Sequence, residues 1–103
     1  MRVLLKASWD IAAGNALAQA GTLGTTVESI LTELQPEVAY FLAENGKRTA
    51  HLIINMDEAS ELPAMAEPFF LAMGAEVDVT PVMFPEDLQK AGPAIEAAAK
   101  KYG

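Results

Sequence analysis

The residues of this chain best suited to proton-transfer chemistry are His51 and Tyr40. His51 is the only histidine, and imidazole is the side-chain group that ordinarily exchanges a proton near neutral pH. Asn45 and Gly46 lie midway between them, and an Asn-Gly pair between apolar runs is typical of a two-residue hairpin turn. That turn predicts that Tyr40 faces His51, so a phenol and an imidazole would share one face of a sheet.

The register of this hairpin predicts two faces of different composition. Because side chains alternate along a strand, Val38, Leu42 and Ile53 accompany Tyr40 and His51. The opposite face is mostly small or aliphatic away from the turn, with Ala39, Phe41, Ala50, Leu52 and Ile54. Helices are expected on that opposite face, whereas the face of Tyr40 and His51 mixes polar with apolar side chains.

A strand and an interrupted helix are expected before the hairpin. Residues 2–8 alternate between apolar and mixed positions, as in a strand with one buried face. Apolar residues then recur at spacings of three and four over residues 11–34, which is the helical period. Gly21 and Gly24 interrupt that run, so we expect a short helix followed by a main helix.

The main helix is predicted over residues 25–35. Thr25 and Glu28 have the spacing of a capping box, in which hydroxyl and carboxylate satisfy free backbone N–H groups at the start of a helix. Pro36 is expected to end the helix, because proline disfavours helical geometry in the residue before it.

A second main helix is expected after the hairpin. Asp57 is a plausible N-cap for it, and Gly74 is placed to close it in the left-handed conformation. Pro68 falls within the helical pattern and predicts a kink or a break, since an internal proline removes a hydrogen bond.

The last elements are a strand over residues 75–84 and an Ala-rich helix at about residues 93–102. Pro81 cannot donate to a strand ladder, so this strand is expected at a sheet edge or with a bulge. Between the two elements, Pro85 can begin a short turn.

The order strand, helix, strand, strand, helix, strand is the split βαβ arrangement. We therefore expect an α+β, ferredoxin-like domain over residues 1–103, with a four-stranded antiparallel sheet, both main helices on one face and an extra C-terminal helix. The other sheet face would expose Val38, Leu42 and Ile53, and such apolar patches usually mark an interface or a ligand site. We expect a homodimer.

In this arrangement the first strand lies between the third and fourth, which brings further side chains towards His51 and Tyr40. These two are the candidate catalytic residues. The candidate ligand-binding residues are Lys6, Trp9, Asn55 and Asp78. Such a cluster would suit proton transfer on a small aromatic or carbonyl compound. In the alternative interpretation, Tyr40 and His51 only fill a dimer interface, and the protein is a non-catalytic dimerisation or regulatory module.

Other ligand chemistries have weaker support. Zinc suits His51 poorly, because no Cys and no second His is present. The segment Gly21 to Thr26 invites a phosphate interpretation but lacks the lysine of a P-loop and does not follow a strand. Asp57, Glu58 and Glu61 are typical of an acidic helix start rather than of a cation site. No residue pattern implies a cofactor or a metal.

Composition excludes several classes of partner. Fourteen Asp and Glu against seven Lys and Arg give a net charge of −7, which argues against binding nucleic acid. RNA-recognition domains share this element order, but their third strand carries stacking aromatics that residues 47–54 lack. No apolar stretch approaches the roughly 20 residues of a membrane span, and Lys6 interrupts the apolar start of the chain. We expect a cytoplasmic protein.

Three segments carry a resemblance to a known superfamily: the opening MRVLLKAS, the hairpin AYFLAENGKRTAHLII and the run VDVTPVMFPEDL. They resemble small bacterial members of the dimeric α/β-barrel superfamily, in which two ferredoxin-like protomers pack their open sheet faces together. The resemblance covers most of the chain and is largely architectural. It implies a ligand cavity and includes cofactor-independent monooxygenases, isomerases, haem-degrading enzymes and ligand-sensing domains. Haem ligation by His51 rests on this resemblance alone, and none of the segments is a catalytic signature.

Overall fold

Four strands form one antiparallel sheet in the computed structural model, which describes all 103 residues. The strands are β1 (Arg2–Ser8), β2 (Val38–Glu44), β3 (Lys47–Asn55) and β4 (Glu76–Pro81). Their order across the sheet is β2-β3-β1-β4, which is compatible with a ferredoxin-like fold. The predicted register of the hairpin is confirmed, since Tyr40 pairs with His51 and Glu44 with Lys47.

Five helices accompany the sheet, and three of them cover one of its faces. These three are α1 (Ile11–Gln19), α2 (Leu23–Leu34) and α3 (Leu62–Met73), and a 3-10 turn (Ala59–Glu61) leads into α3. Side chains from β1, β3, α2 and α3 form the core, among them Val3, Leu5, Leu52, Ile30, Met65, Phe69 and Met73. The second face of the sheet has no helix on it and is called the open face below. It carries the alternate residues of each strand.

The predicted break between the first two helices is confirmed, but the predicted capping box is not. Helix α2 begins at Leu23 behind Thr22, and the Thr25 hydroxyl donates to the Thr22 carbonyl at 3.1 Å rather than to a free N–H. Thr25 therefore lies inside the first turn and cannot cap it. Helix α2 ends at Leu34, and its C-cap Gln35, with a φ of 47°, turns the chain into Pro36.

Helix α3 differs from expectation at its N-cap, and of the kink or break predicted at Pro68 the break does not occur. Glu58 occupies the N-cap of the 3-10 turn, and Asp57 instead donates its backbone N–H to the Glu61 carboxylate at 2.8 Å. The helix runs through Pro68 without a break, because Met65, Phe69 and Met73 hold one of its faces in the core. Gly74 closes the helix with a φ of 57°, as predicted.

Strand β4 lies at a sheet edge, as the lack of a donor on Pro81 predicted, but it is shorter than expected and ends at Pro81. Two helices follow it: α4 (Pro85–Lys90), where only a short turn was expected, and α5 (Gly92–Tyr102). Neither contains a buried residue. We call residues 85–103 the C-terminal arm.

The C-terminal arm makes the protomer long. The molecule measures 59 × 27 × 20 Å and has a radius of gyration of 17.1 Å, whereas a compact domain of about 100 residues has a radius near 13 Å. Helix α5 packs mainly against α4, so it projects beyond the body of the fold. None of the five helices has the length and apolar character that crossing a membrane requires.

Candidate functional site

Four titratable side chains, one from each strand, lie in a single row across the open face. The strand register pairs Tyr40 with His51, His51 with Lys6, and Lys6 with Asp78. Because neighbouring strands are about 4.8 Å apart, the row spans roughly 14 Å from the first backbone to the last. The structure thus brings together four of the six residues that the sequence nominated. We call these four residues the polar row.

Glu44, which pairs with Lys47 at the end of the hairpin, contacts two members of the polar row. Its carboxylate forms an ion pair with the Lys6 ammonium, and its Oε1 lies 3.5 Å from Nε2 of His51. The side chains of Lys6, Glu44 and His51 are each about one-third exposed or less. These three side chains therefore form one connected group that is partly shielded from solvent.

The ion pair changes the titration of both of its members. The hydrogen bond from Lys6 lowers the pKa of the Glu44 carboxyl, and the nearby charges of Lys6 and His51 act in the same direction against the opposing effect of desolvation. The hydrogen bond to Glu44 likewise raises the pKa of Lys6, assisted by the charges of Glu44 and Asp78. Both groups are therefore charged throughout the neutral range.

His51 has an incomplete set of partners. Its Nε2 is buried and makes no hydrogen bond, although buried polar atoms are usually satisfied. The Glu44 carboxylate lies 3.5 Å from this nitrogen. The only imidazole of the chain thus has an unpaired nitrogen beside a carboxylate.

Mostly apolar side chains flank the polar row. On one side, Val38, Ile53 and Leu4 lie in register across β2, β3 and β1. On the other side, Leu42 is followed by Thr49 and by Ser8, whose hydroxyls lie 3.2 Å apart. Tyr40 is 65% exposed and Leu42 is 39% exposed. The open face therefore combines apolar side chains on β1, β2 and β3 with a charged centre.

The open face of a single protomer is a surface rather than a pocket. The clefts of the molecule lie between α2 and α3, along α2, along α4, beside the chain start at Met1, and behind the hairpin. None of them is lined by His51, Tyr40 or Lys6. A ligand held at the polar row would need a second wall.

Two nominated residues lie outside the polar row. Asn55 is on the open face at the far end of β3, where its side-chain oxygen accepts a hydrogen bond from the Met1 ammonium at 3.1 Å. Trp9 extends the buried side of β1 and packs against Phe69, with ring centroids 6.3 Å apart. The sheet therefore separates Trp9 from His51. Alternation along β1 places Trp9 with Val3, Leu5 and Ala7, and this signal was present in the sequence.

The side chains of the chain form no group of three or more His, Asp or Glu that could hold a metal ion. Comparison with protein-family models and with curated proteins gives no match for this chain. The chemistry of the open face is therefore argued from its own residues.

Proposed function

We propose that the protein is a homodimer of ferredoxin-like protomers, related to the dimeric α/β barrels, that binds a small and partly apolar molecule at the polar row. The observation that carries the proposal is the alignment of Tyr40, His51, Lys6 and Asp78 across an uncovered sheet face. A second sheet packed over this face would turn the surface into an enclosed chamber with the polar row on its wall.

The apolar flanks support pairing with a second copy. Val38, Ile53 and Leu4 are only partly buried in the protomer, and covering apolar surface is favourable by about 25 cal/mol per Å². Strands of seven residues are about 23 Å long and four of them span about 19 Å. The projected sheet face is thus roughly half of the about 800 Å² that each partner buries in a typical stable dimer.

The C-terminal arm can supply additional interface. Its exposed apolar residues Leu88, Ile95 and Tyr102 are each more than half exposed. The arm begins beside the open face, because Phe84 lies under the Arg2 guanidinium, 4.2 Å from ring centroid to carbon. Its last turn carries Lys100 and Lys101, whereas the chain has a net charge of −7. These two lysines could pair with acidic side chains of a second copy, while the apolar residues of the arm supply the buried surface.

The polar row supports a proton-transfer role for His51. The Lys6–Glu44 ion pair keeps a carboxylate 3.5 Å from the imidazole, where it can orient the ring for proton exchange with a ligand. Tyr40 presents an exposed ring and hydroxyl next to His51 and could contact an aromatic or carbonyl compound. In this scheme His51 and Tyr40 touch the ligand, while Glu44 and Lys6 position the imidazole.

One observation favours a non-catalytic alternative. The buried Nε2 of His51 is already covered by neighbouring side chains in the single protomer. If the partner sheet fills the remaining space, the polar row only sets the register of a dimerisation or regulatory module. The two candidates differ in whether a small molecule can reach His51.

An NMR titration of the single imidazole separates them, with acetophenone as an apolar carbonyl probe. Saturable shifts of the His51 ring resonances, weakened in Tyr40→Ala and unchanged in the surface control Leu71→Ala, are expected for a ligand site. Leu71 is 82% exposed on α3, so it tests for a nonspecific effect of removing apolar surface. Ring resonances that do not shift when the probe is added would contradict ligand binding at the polar row and favour the non-catalytic module.

A further inference from the structure

One cleft of the molecule lies apart from the polar row. It has a volume of about 530 Å³ and lies behind the hairpin, between the start of α1 and the tip of β2 and β3. This volume is within the roughly 300–1,000 Å³ of small-molecule sites. The residues that line it include Trp9, Asn15, Phe41, Lys47 and Arg48. Most of them lie on the helix side of the sheet, so packing of a second copy on the open face would leave the cleft accessible.

The two cations of the sheet that have no carboxylate partner both line this cleft. Arg2 is paired with Glu37 and Lys6 with Glu44, whereas Lys47 and Arg48 have no carboxylate partner. The other three cations of the chain, Lys90, Lys100 and Lys101, lie in the C-terminal arm. Lys47 and Arg48 both line the cleft, but alternation along β3 directs Lys47 to the open face and Arg48 to the helix side. In a protein with a net charge of −7, the uncompensated Arg48 gives this cleft a local positive charge.

Arg48 is held in place across the cleft. Its Nη1 donates to Oδ1 of Asn15 on α1 at 2.9 Å. Gly14 makes room for this contact, because a Cβ there would lie 3.0 Å from the same Nη1 and 3.4 Å from Cδ1 of Trp9. The bond to a neutral amide uses one of the five guanidinium N–H groups and leaves the charge uncompensated.

A further donor belongs to Trp9, which lines the cleft. The indole N–H of Trp9 is buried without a hydrogen-bond partner, and the side chain is 97% buried. Its Cδ1, the ring atom bonded to that nitrogen, faces Gly14 beside the Arg48 guanidinium. Buried indole N–H groups usually find an acceptor. An anionic oxygen next to Arg48 would supply one.

The one carboxylate on the cleft wall is directed at the start of α1. Asp10 caps α1, and its Oδ2 accepts from the Ala13 backbone N–H at 2.8 Å. The opposite part of the wall is apolar, with Phe41 52% exposed and Ile11 53% exposed. The cleft thus combines hydrogen-bond donors with uncovered apolar surface.

We propose that this cleft binds a small organic anion, an aromatic carboxylate, with the carboxylate at Arg48 and the ring against Phe41 and Ile11. This site is distinct from the polar row and stands independently of the function proposed there. The carboxylate would complete the hydrogen bonding of the Arg48 guanidinium and of the Trp9 indole, and Asn15 would keep the guanidinium in position.

Trp9 is the only tryptophan, so its fluorescence reports directly on the cleft. We expect a saturable change with benzoate. Replacing Arg48 by Gln should weaken benzoate binding by at least about tenfold, since hydrogen bonds to charged groups contribute roughly 1.5–3 kcal/mol. Lys90→Gln removes one positive charge from the arm instead and should leave the benzoate affinity unchanged.

A pair of glycine variants tests the geometry. Gly14→Ala crowds the Arg48 guanidinium and should weaken benzoate binding, whereas Gly24→Ala meets nothing within 4 Å and should not. Neutral benzamide and inorganic phosphate should both bind more weakly than benzoate. Equal binding of benzamide would overturn the role of the anion, and equal binding of phosphate would overturn that of the ring. Absence of a saturable response to benzoate, or an unaltered response in folded Arg48→Gln, would overturn the site itself.

Discussion

Lys6 and Glu44 form an ion pair across the open face although their strands are not neighbours in the sheet. Strand β3 lies between β1 and β2, so the pair passes over it and places the Glu44 carboxylate next to His51. Three strands are thereby connected by side chains as well as by backbone hydrogen bonds. The arrangement links the stability of the open face to the ionisation of the residues proposed to act there.

Replacing Glu44 by Gln should remove a pH-dependent part of the stability. The pKa of Glu44 is lowered below its ordinary 4.5, so its contribution is present above that value and is lost as the pH falls through the folded-state pKa. The pKa of Lys6 is raised above 10.5, so its contribution is lost only at higher alkaline pH. Wild type should exceed Glu44→Gln in free energy of unfolding across the neutral range, and the difference should shrink in acid.

Urea denaturation at a series of pH values measures this difference. Glu28→Gln is the matched control, because Glu28 is exposed and has no cationic partner. Its stability difference from wild type should stay near zero over the same range. A Glu44→Gln difference that grows on acidification would contradict the ion pair.

Pro68→Ala should stabilise the protein. Pro68 lies inside α3, where proline is disfavoured relative to alanine by about 3 kcal/mol, and loss of ring contacts offsets part of that gain. We expect the free energy of unfolding to rise by about 1–3 kcal/mol. Pro63 lies in the first helical turn, where proline is tolerated, so Pro63→Ala should change stability little. Thermal denaturation of both variants checks this, and a lower Tm for Pro68→Ala would contradict a continuous α3.

Gly46→Ala should destabilise the hairpin that carries Tyr40 and His51. Gly46 has a φ of 76°, a conformation that costs residues with a Cβ about 1–2 kcal/mol. A loss of about 1 kcal/mol lowers the Tm by roughly 4–8 °C in a domain of this size. Gly24→Ala, in the first turn of α2 with open space around it, should have a neutral or slightly stabilising effect. Equal Tm values for the two variants would contradict the left-handed turn at Gly46.

Removing α5 should weaken self-association without unfolding the body. Helix α5 contains no buried residue and packs mainly against α4, so a chain ending at Ala91 should keep its circular-dichroism signature of a folded sheet. Its dimer dissociation constant, measured by sedimentation, should rise. Ile95→Ser combined with Tyr102→Ser should have the same effect in the full chain. A dissociation constant unaffected by either change would exclude the arm from the interface.

The hairpin was predictable because its determinants are local. Asn45 and Gly46 set the turn, both adopt positive φ, and the loop length then fixes every pair from Val38 with Ile53 to Glu44 with Lys47. The polar row followed from this register together with the expected strand order. The contact between Glu44 and Lys6 could not be predicted in this way. It joins strands that are not adjacent, and it depends on the conformations of two long side chains.

The features that were predicted wrongly from the sequence depend on tertiary packing or on competition between neighbouring residues. Pro68 favours a break locally, but the buried face of α3 around Phe69 overrides that preference. Thr25 has capping chemistry, yet the helix begins earlier, behind Thr22. The cleft behind the hairpin left only one trace in the sequence, the adjacent cations Lys47 and Arg48 in an acidic chain.

Sedimentation equilibrium of wild type beside Ile53→Lys tests pairing through the open face most directly. Ile53 lies on that face beside the polar row, next to Val38 and Leu4, and a lysine there would be solvated in a monomer but buried in the proposed dimer. The control is Leu71→Lys on the outer surface of α3. We predict a dimer for wild type and for Leu71→Lys, twice the 10.9 kDa protomer mass, and a folded monomer for Ile53→Lys. A wild-type monomer, or a dimer that Ile53→Lys leaves intact, would contradict the account.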